Sequence, residues 1–431
     1  MSTATTPLVP SAAPEERVVT ERPPRWRVPI TMAVFGIVAL VAFGLGSDSG
    51  ETSTFGITLG SEAFEIAPLE LPTRTSAIVL SVACLALAGF AALRVSRQQQ
   101  IPLWVTIGFA ALWLLAFMIW AIAGNTVSLT GLLRGTVLLA VPLVFGALSG
   151  VLCERAGVIN IAIEGQLLAG AFLSAVVASL TDNLWVGLVA APIAGLLVGI
   201  MLALFTIRYI VDQIIVGVVL NVLVIGLTGF LYSRVLAAEQ DVWNQPGTFS
   251  RIKLPILGDI PVLGPVLFDQ SIIVYLMYVA VAVVHVALFY TRWGLRVRAV
   301  GEHPTAADTV GIQVNRTRVK NVLMGGAMAG LGGAFFTIGS VGAFGREMTA
   351  GQGFIALAAM IFGRWSPIGA LFAALLFGFA NNLQSILGII GTPIPSQFML
   401  MAPYLATIFA VAGLVGRVRA PAADGQPYIK G

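Results

Sequence analysis

From residue 28 to residue 416 the sequence is a succession of apolar runs, most of them long enough to cross a lipid bilayer, joined by short polar links. No other feature limits the fold as strongly. Lipid offers the backbone no hydrogen-bond partner, so a spanning segment must satisfy its own N–H and C=O groups, and about 20 residues of α-helix cover the apolar thickness. On that ruler, clear spans lie near 28–46, 75–94, 101–123, 132–152, 184–207, 213–235, 270–290, 321–341, 366–388 and 398–416. Two further stretches are 157–180, which carries polar residues, and 353–363, which is short. The expected fold class is therefore an all-α polytopic membrane protein with roughly 10–12 transmembrane helices. Composition excludes the alternative of a soluble domain. Only 10% of the 431 residues are charged and 58% are hydrophobic, too few charges to cover a water-facing surface.

The links set the orientation. Segment 46–74 holds Asp48, Glu51, Glu62, Glu65 and Glu70 against one basic residue, Arg74. Segment 291–320 holds Arg292, Arg296, Arg298, Arg316, Arg318 and Lys320; the 94–100 loop holds Arg94 and Arg97, and the tail holds Arg417 and Arg419. Basic residues stay on the cytoplasmic side. This places 94–100, 291–320 and both termini inside, and 46–74 and 236–269 outside, in a multi-pass protein of the cell membrane. Twelve segments fit these charges, as do ten spans with one or two re-entrant pieces. The divisions expected are a cytoplasmic tail at 1–27, added N-terminal spans with an acidic external loop at 28–130, a core at 131–416 and a second cytoplasmic tail at 417–431. The apolar run after residue 27 lacks a clear small-residue cleavage site, so the first helix is read as uncleaved.

Catalytic equipment is missing from the sequence. It contains no GxxxxGK[ST] phosphate loop, no HExxH and no Cys/His cluster; the histidines are His285 and His303 and the cysteines Cys84 and Cys153. The chain is thus expected to bind no cofactor or metal and to hydrolyse no ATP. The run GGAMAGLGG (Gly325 to Gly333) lacks dinucleotide spacing, and its Gly326 and Gly330 are read as a close helix-packing pair.

Three polar stretches interrupt this apolar background. In ERAGVINIAIEGQLLAGAF (Glu154 to Phe172), Asn160 and Glu164 are four apart and on a helix would share a face, with Gln166 off it. A carboxylate inside a span faces a cavity or a partner; it equally accepts hydrogen bonds that hold a broken helix, which Gly157 and Gly165 would tolerate. In the second stretch, Arg346 to Gln384, a short apolar segment and a Gly-Arg-Trp-Ser-Pro turn precede a span that ends in Asn381, Asn382 and Gln384. These amides are suited to a polar solute or to capping at the interface. The third, GLRVRAVGEHPTAADTVGIQVNR (Gly294 to Arg316), is punctuated by Gly294, Gly301, Pro304 and Gly311. Pro304 suits the first turn of a short helix and Gly311 its end. A topogenic loop needs only Lys and Arg, so an ordered turn-helix-turn points to docking into another protein.

The run GLRVRAVGEHPTAADTVGI with VNRTRVKNVLMGGAMAGLGGAF resembles the cytoplasmic loop of permeases of ATP-binding cassette (ABC) importers that serve simple sugars, nucleosides and branched-chain amino acids. ERAGVINIAIEGQLLAGAF and TAGQGFIALAAMIFGRWSPIGALFAALLFG look like the nucleoside and simple-sugar members. The resemblance implies a type II-like ABC importer permease fold. It implies a coupling helix seated in a separate ATPase, with ATP and Mg on that partner. The coupling residues would be Gly301, Glu302, Pro304, Ala306, Ala307 and Gly311, with Arg296 and Arg298 nearby. It further implies a second, related permease subunit and an extracytoplasmic substrate-binding lipoprotein. Asn160, Glu164, Gln166, Asn381 and Asn382 would line the translocation path for a nucleoside or simple sugar. The alternative is an ion-coupled secondary transporter with Glu164 as its ion site. An intramembrane enzyme is disfavoured, because no paired acid–base set or nucleophile motif is present.

Overall fold

The computed structural model describes residues 26–58, 66–391, 401 and 419–430. Among these, ten helices are long and apolar enough to cross a membrane, as the lipid ruler predicts. The expected span at 398–416 lies outside the described residues, apart from Met401, as do most of the 1–27 tail and the centre of the acidic loop.

The chain forms two compact units. One comprises Met1–Ser53 with Leu71–Gly124, the other Thr54–Glu70 with Asn125–Gly431. In the first, α1 (Arg27–Val38) runs on as a wider π-helical turn to Leu45, followed by α2 (Thr73–Ser96) and α3 (Leu103–Ala121). The three helices bury Met32, Cys84, Ala88 and Val105 at one end and Ala39, Phe43, Ala77 and Ala116 at the other. Phe43 stacks on Trp120 with ring centroids 5.0 Å apart, an aromatic contact of favourable separation. Many other large apolar side chains of these helices, such as Ile30, Val79 and Trp104, are exposed, as lipid-facing positions require.

The second unit is built around α4 (Leu129–Glu154), whose most apolar stretch is the most buried of the ten spans. It is followed by α5 (Ile163–Thr181), α6 (Leu184–Ala203) and α7 (Gln213–Leu231), the last two closed by π-helical turns. A loop with a short α8 (Gln240–Trp243) leads to α9 (Ile272–Tyr290). This loop is tied down: Ile252–Lys253 pair antiparallel with Asp269–Gln270, and Lys253 bridges Asp259 at 2.6 Å. Then come α10 (Arg292–Glu302), α11 (Pro304–Thr309), α12 (Val314–Phe336), α13 (Gln352–Phe362) and α14 (Pro367–Ile390).

The Gly326/Gly330 pair packs as its spacing predicts. A Cβ at Gly330 would sit 2.3 Å from Ala191 O, and one at Gly326 2.5 Å from Gly195 O. The backbones of α6 and α12 therefore touch directly.

Two expectations need correction. The span expected at 321 begins at Val314, because about two turns rich in Arg and Lys belong to the same helix. The stretch at 157–180 spans, but only from Ile163. The short stretch expected at 353–363 is short: α13 has 11 residues, about 16 Å of helix, and so reaches only partway through a bilayer.

Candidate coupling surface and buried polar cluster

Thr291 starts α10 by accepting the Gly294 N–H at 3.2 Å. Its buried face is Gly294, Val297, Val300 and Gly301, one helical stripe. The helix breaks at His303 (φ −143°, ψ 83°) and restarts at Pro304. It ends before Gly311, whose φ of +84° is left-handed and suits glycine. The turn-helix-turn predicted from Pro304 and Gly311 is thus present.

The expected docking residues divide into two sets. Arg296, Glu302, Ala306 and Gly311 are exposed, while Arg298 and Pro304 are half-buried. Arg298 lies over the Phe289 ring, 5.3 Å from its centroid, and Arg155 approaches the same ring at 5.7 Å, where an aromatic face attracts guanidinium. Gly301 and Ala307 face inward. A Cβ at Gly301 would come within 2.3 Å of Arg155 O, so this glycine permits α10 to reach the turn after α4. Ala307 is 3% exposed and packs with Val300 and Val314, with Ile312 and Tyr428 at the edge. Val310, which the sequence reading passed over, is 76% exposed and extends the apolar outer surface of the elbow.

The expected path residues do not form one cluster. Residues 157–162 between α4 and α5 are not helical, so Asn160 and Glu164 share no helix face. Gly157 (φ +84°) makes the break, whereas Gly165 lies within α5. The freed backbone is satisfied by side chains. Gln213 Oε1 accepts Ile159 N at 2.7 Å. Asn221 accepts Gly165 N at 2.8 Å and donates to Ile161 O at 2.9 Å. Irregular backbone at membrane depth requires such partners. The sequence signal for this role was available, since Asn221 and Gln213 are amides in an otherwise apolar run.

Asn160 Nδ2 donates to Ser149 Oγ and to Gln166 Oε1, each at 3.0 Å. Glu164 turns the other way. Its Oε1 accepts Thr349 Oγ1 at 2.6 Å and Gly351 N at 2.9 Å, and its Oε2 accepts Gly353 N at 2.6 Å. The carboxylate therefore caps the N-terminus of α13, where orphan N–H groups and the helix dipole favour an anion. With three donors already on it, Glu164 gives no support to the ion-coupled alternative. Asn382 Nδ2 donates to Leu132 O at 2.7 Å, and Asn381 O accepts Ser385 Oγ. Leu132 and Ser149 are at opposite ends of α4, about 25 Å apart by helical rise. The amides of α14 and the Asn160 cluster are therefore separate features.

One partner of the coupling elbow escaped the sequence reading: the C-terminal segment. Ala423 N donates to Gly301 O at 2.9 Å, and Ala422 N to Glu302 Oε2 at 3.2 Å.

A family described as branched-chain amino acid transport system / permease component matches residues 132–415. The guanosine ABC transporter permease protein NupQ of Bacillus subtilis (strain 168) is 43% identical over 308 residues, covering 69% of this chain and 95% of that protein. The nucleoside ABC transporter permease protein NupC of Lactococcus lactis subsp. cremoris (strain MG1363) is 40% identical, covering 67% and 93%. The putative glucose ABC transporter permease protein TsgC13 of Haloferax volcanii is 33% identical, covering 67% and 92%. No solved structure matches significantly. With ten membrane-length helices and a family match over most of its length, the chain belongs to this permease-component family and is a transport subunit, not an enzyme.

Proposed function

We propose that the chain is the membrane-spanning subunit of an ABC importer for nucleosides, driven by a separate ATPase that docks on the α10–α11 elbow. The observation that carries this reading is the elbow itself. An ordered two-helix turn presents Ala306 and Val310 outward on a chain of a permease family. The ATPase would hold ATP and Mg. Nucleosides are favoured over sugars because the guanosine and nucleoside permeases are the more similar relatives.

A second, related permease subunit is part of the proposal. A further guanosine permease protein of Bacillus subtilis, NupP, is 26% identical to this chain, so that organism has two such subunits similar to it. The basic 291–320 segment supports a cytoplasmic elbow, and an extracytoplasmic binding lipoprotein would deliver solute to the opposite face. The capped half-span α13 and the Asn160 cluster, joined through Glu164 and Gln166 on α5, would border the path.

The test is reconstitution of the chain with candidate ATPase and permease partners in proteoliposomes, and measurement of labelled guanosine and glucose uptake. The expected result is guanosine uptake that requires ATP hydrolysis. Uptake with no nucleotide hydrolysed, or by this chain alone, would overturn the proposal.

A further inference from the structure

Ten residues at the C-terminus, Pro421–Lys430, touch five elements at the face that carries the elbow. Ala423 and Ala422 bond to Gly301 and Glu302 at the end of α10. Tyr428 packs on the Val300–Ala307–Val314 cluster, and Lys430 pairs with Asp308 of α11 at 3.8 Å. Gln426 O accepts Arg318 Nη1 of α12 at 2.7 Å. The Asp424 carboxyl lies beside that of Glu154 at the end of α4. Finally, Gly425 lies against the turn after α4; a Cβ there would be 2.8 Å from Ile159 Cδ1.

These contacts are not a loose surface lie. Arg318 is 2% exposed, and its Nε and Nη2 have no hydrogen-bond partner among the described residues. The tail supplies its Gln426 acceptor and, in Asp424, a neighbouring carboxyl. Removing the partner of a buried charge is strongly unfavourable, so the segment is held down. Ala423 is also 2% exposed, with its N–H spent on Gly301.

We infer that Pro421–Lys430 is a fixed latch that links the coupling elbow to the Gly157–Ala162 break, so that a push on α11 is delivered to the turn that carries Asn160. This rests on the reading of the elbow as the ATPase dock. The chain of contacts is short. The segment grips Gly301, Asp308 and Ala307 at one end and Ile159 and Glu154 at the other. Ile159 is bonded in turn to Gln213 of α7, and Asn160 to Ser149 and Gln166. Packed elements of this kind move as units rather than deform.

The test uses the full chain with Ala423→Arg, which forces a long cation into a filled site, in the complete transporter. Both native cysteines are buried and Pro421 is buried at the start of the segment, so Pro421→Cys reports displacement of the segment by its reaction with a hydrophilic thiol reagent. With the segment displaced, the ATPase is expected to co-purify within twofold of the parent level, while solute moved per ATP falls at least tenfold. Unchanged solute per ATP with the segment displaced overturns the latch. So does loss of ATPase binding, which would make the segment part of the dock. Scrambling Pro304–Gly311 separates the two ideas. If the ATPase still binds that variant, the dock reading fails whatever the segment does. Should Ala423→Arg not accumulate, a chain ending at Ala420 reads the same ratio, and failure of both to accumulate overturns the latch in favour of a purely structural role.

Discussion

Glu164 and Gly353, 189 residues apart in sequence, meet where the Gly353 N–H donates to Glu164 Oε2 at 2.6 Å. This bond, with those from Gly351 and Thr349, makes a carboxylate at the first turn of α5 the cap of the half-span α13. The helix that stops partway through the membrane is thereby anchored to the helix that follows the break. A carboxylate buried among apolar helices is here an element of architecture, and its consequences can be measured.

Replacing Glu164 by Ala strands the Gly351 and Gly353 N–H groups and the Thr349 hydroxyl. Hydrogen bonds to a charged acceptor are worth about 1.5–3 kcal/mol each, and they act as one unit here. We expect Glu164→Ala to destabilise the detergent-solubilised chain by on the order of 3 kcal/mol, read as a lowered Tm. Glu164→Gln retains an acceptor oxygen and should lose less. In proteoliposomes, dissipating ion gradients should leave uptake by the parent chain unchanged. A collapse of uptake under an ionophore would restore Glu164 as an ion site.

Gly301 and Ala306 separate structure from docking within one elbow. A methyl at Gly301 would meet Arg155 O at 2.3 Å, and neither backbone can yield easily. Overpacking of this kind costs about 1–3 kcal/mol. Gly301→Ala should therefore lower Tm and expression. Ala306 is exposed, so Ala306→Arg should leave Tm within about a degree while reducing ATPase co-purification at least tenfold. Equal loss of stability in both variants would contradict the division between inward and outward residues.

The outline of the fold was legible because lipid imposes a length and an apolarity that a sequence displays directly. What escaped were places where polar residues belong to the membrane helices or where the chain returns to itself. Arg318 reads as a loop residue because charge ends an apolar run, yet it is buried in the first turns of α12. The four-residue spacing of Asn160 and Glu164 fits one helix face as well as a break at Gly157, and the structure has the break. The pairing of Ala423 with Gly301 runs through backbone atoms of residues 122 positions apart, and side-chain identity says nothing of it. The elbow was legible for the opposite reason: Pro304 and Gly311 fix local backbone geometry whatever surrounds them.

Asp424 makes the C-terminal contact sensitive to pH. Burial, the first cause, pushes its carboxyl up from 3.8 to about 6; the adjacent Glu154, the Gly425 N–H and the Arg318 guanidinium pull the other way without cancelling it. The docked segment thus holds a proton more tightly than a free one. Linkage gives the sign: docking is strongest below about pH 4, where both states are protonated at this site, and weakens as pH rises through about 6. Reaction of Pro421→Cys with a thiol reagent, normalised to unfolded protein at the same pH, should therefore be slower at pH 5 than at pH 7.5. Asp424→Asn removes the titrating group while keeping its size, and should flatten that difference. Faster reaction at pH 5 than at 7.5 in the parent would mean that ionised Asp424, paired with Arg318, is the form that holds the segment, and the order of the two effects would have to be reversed.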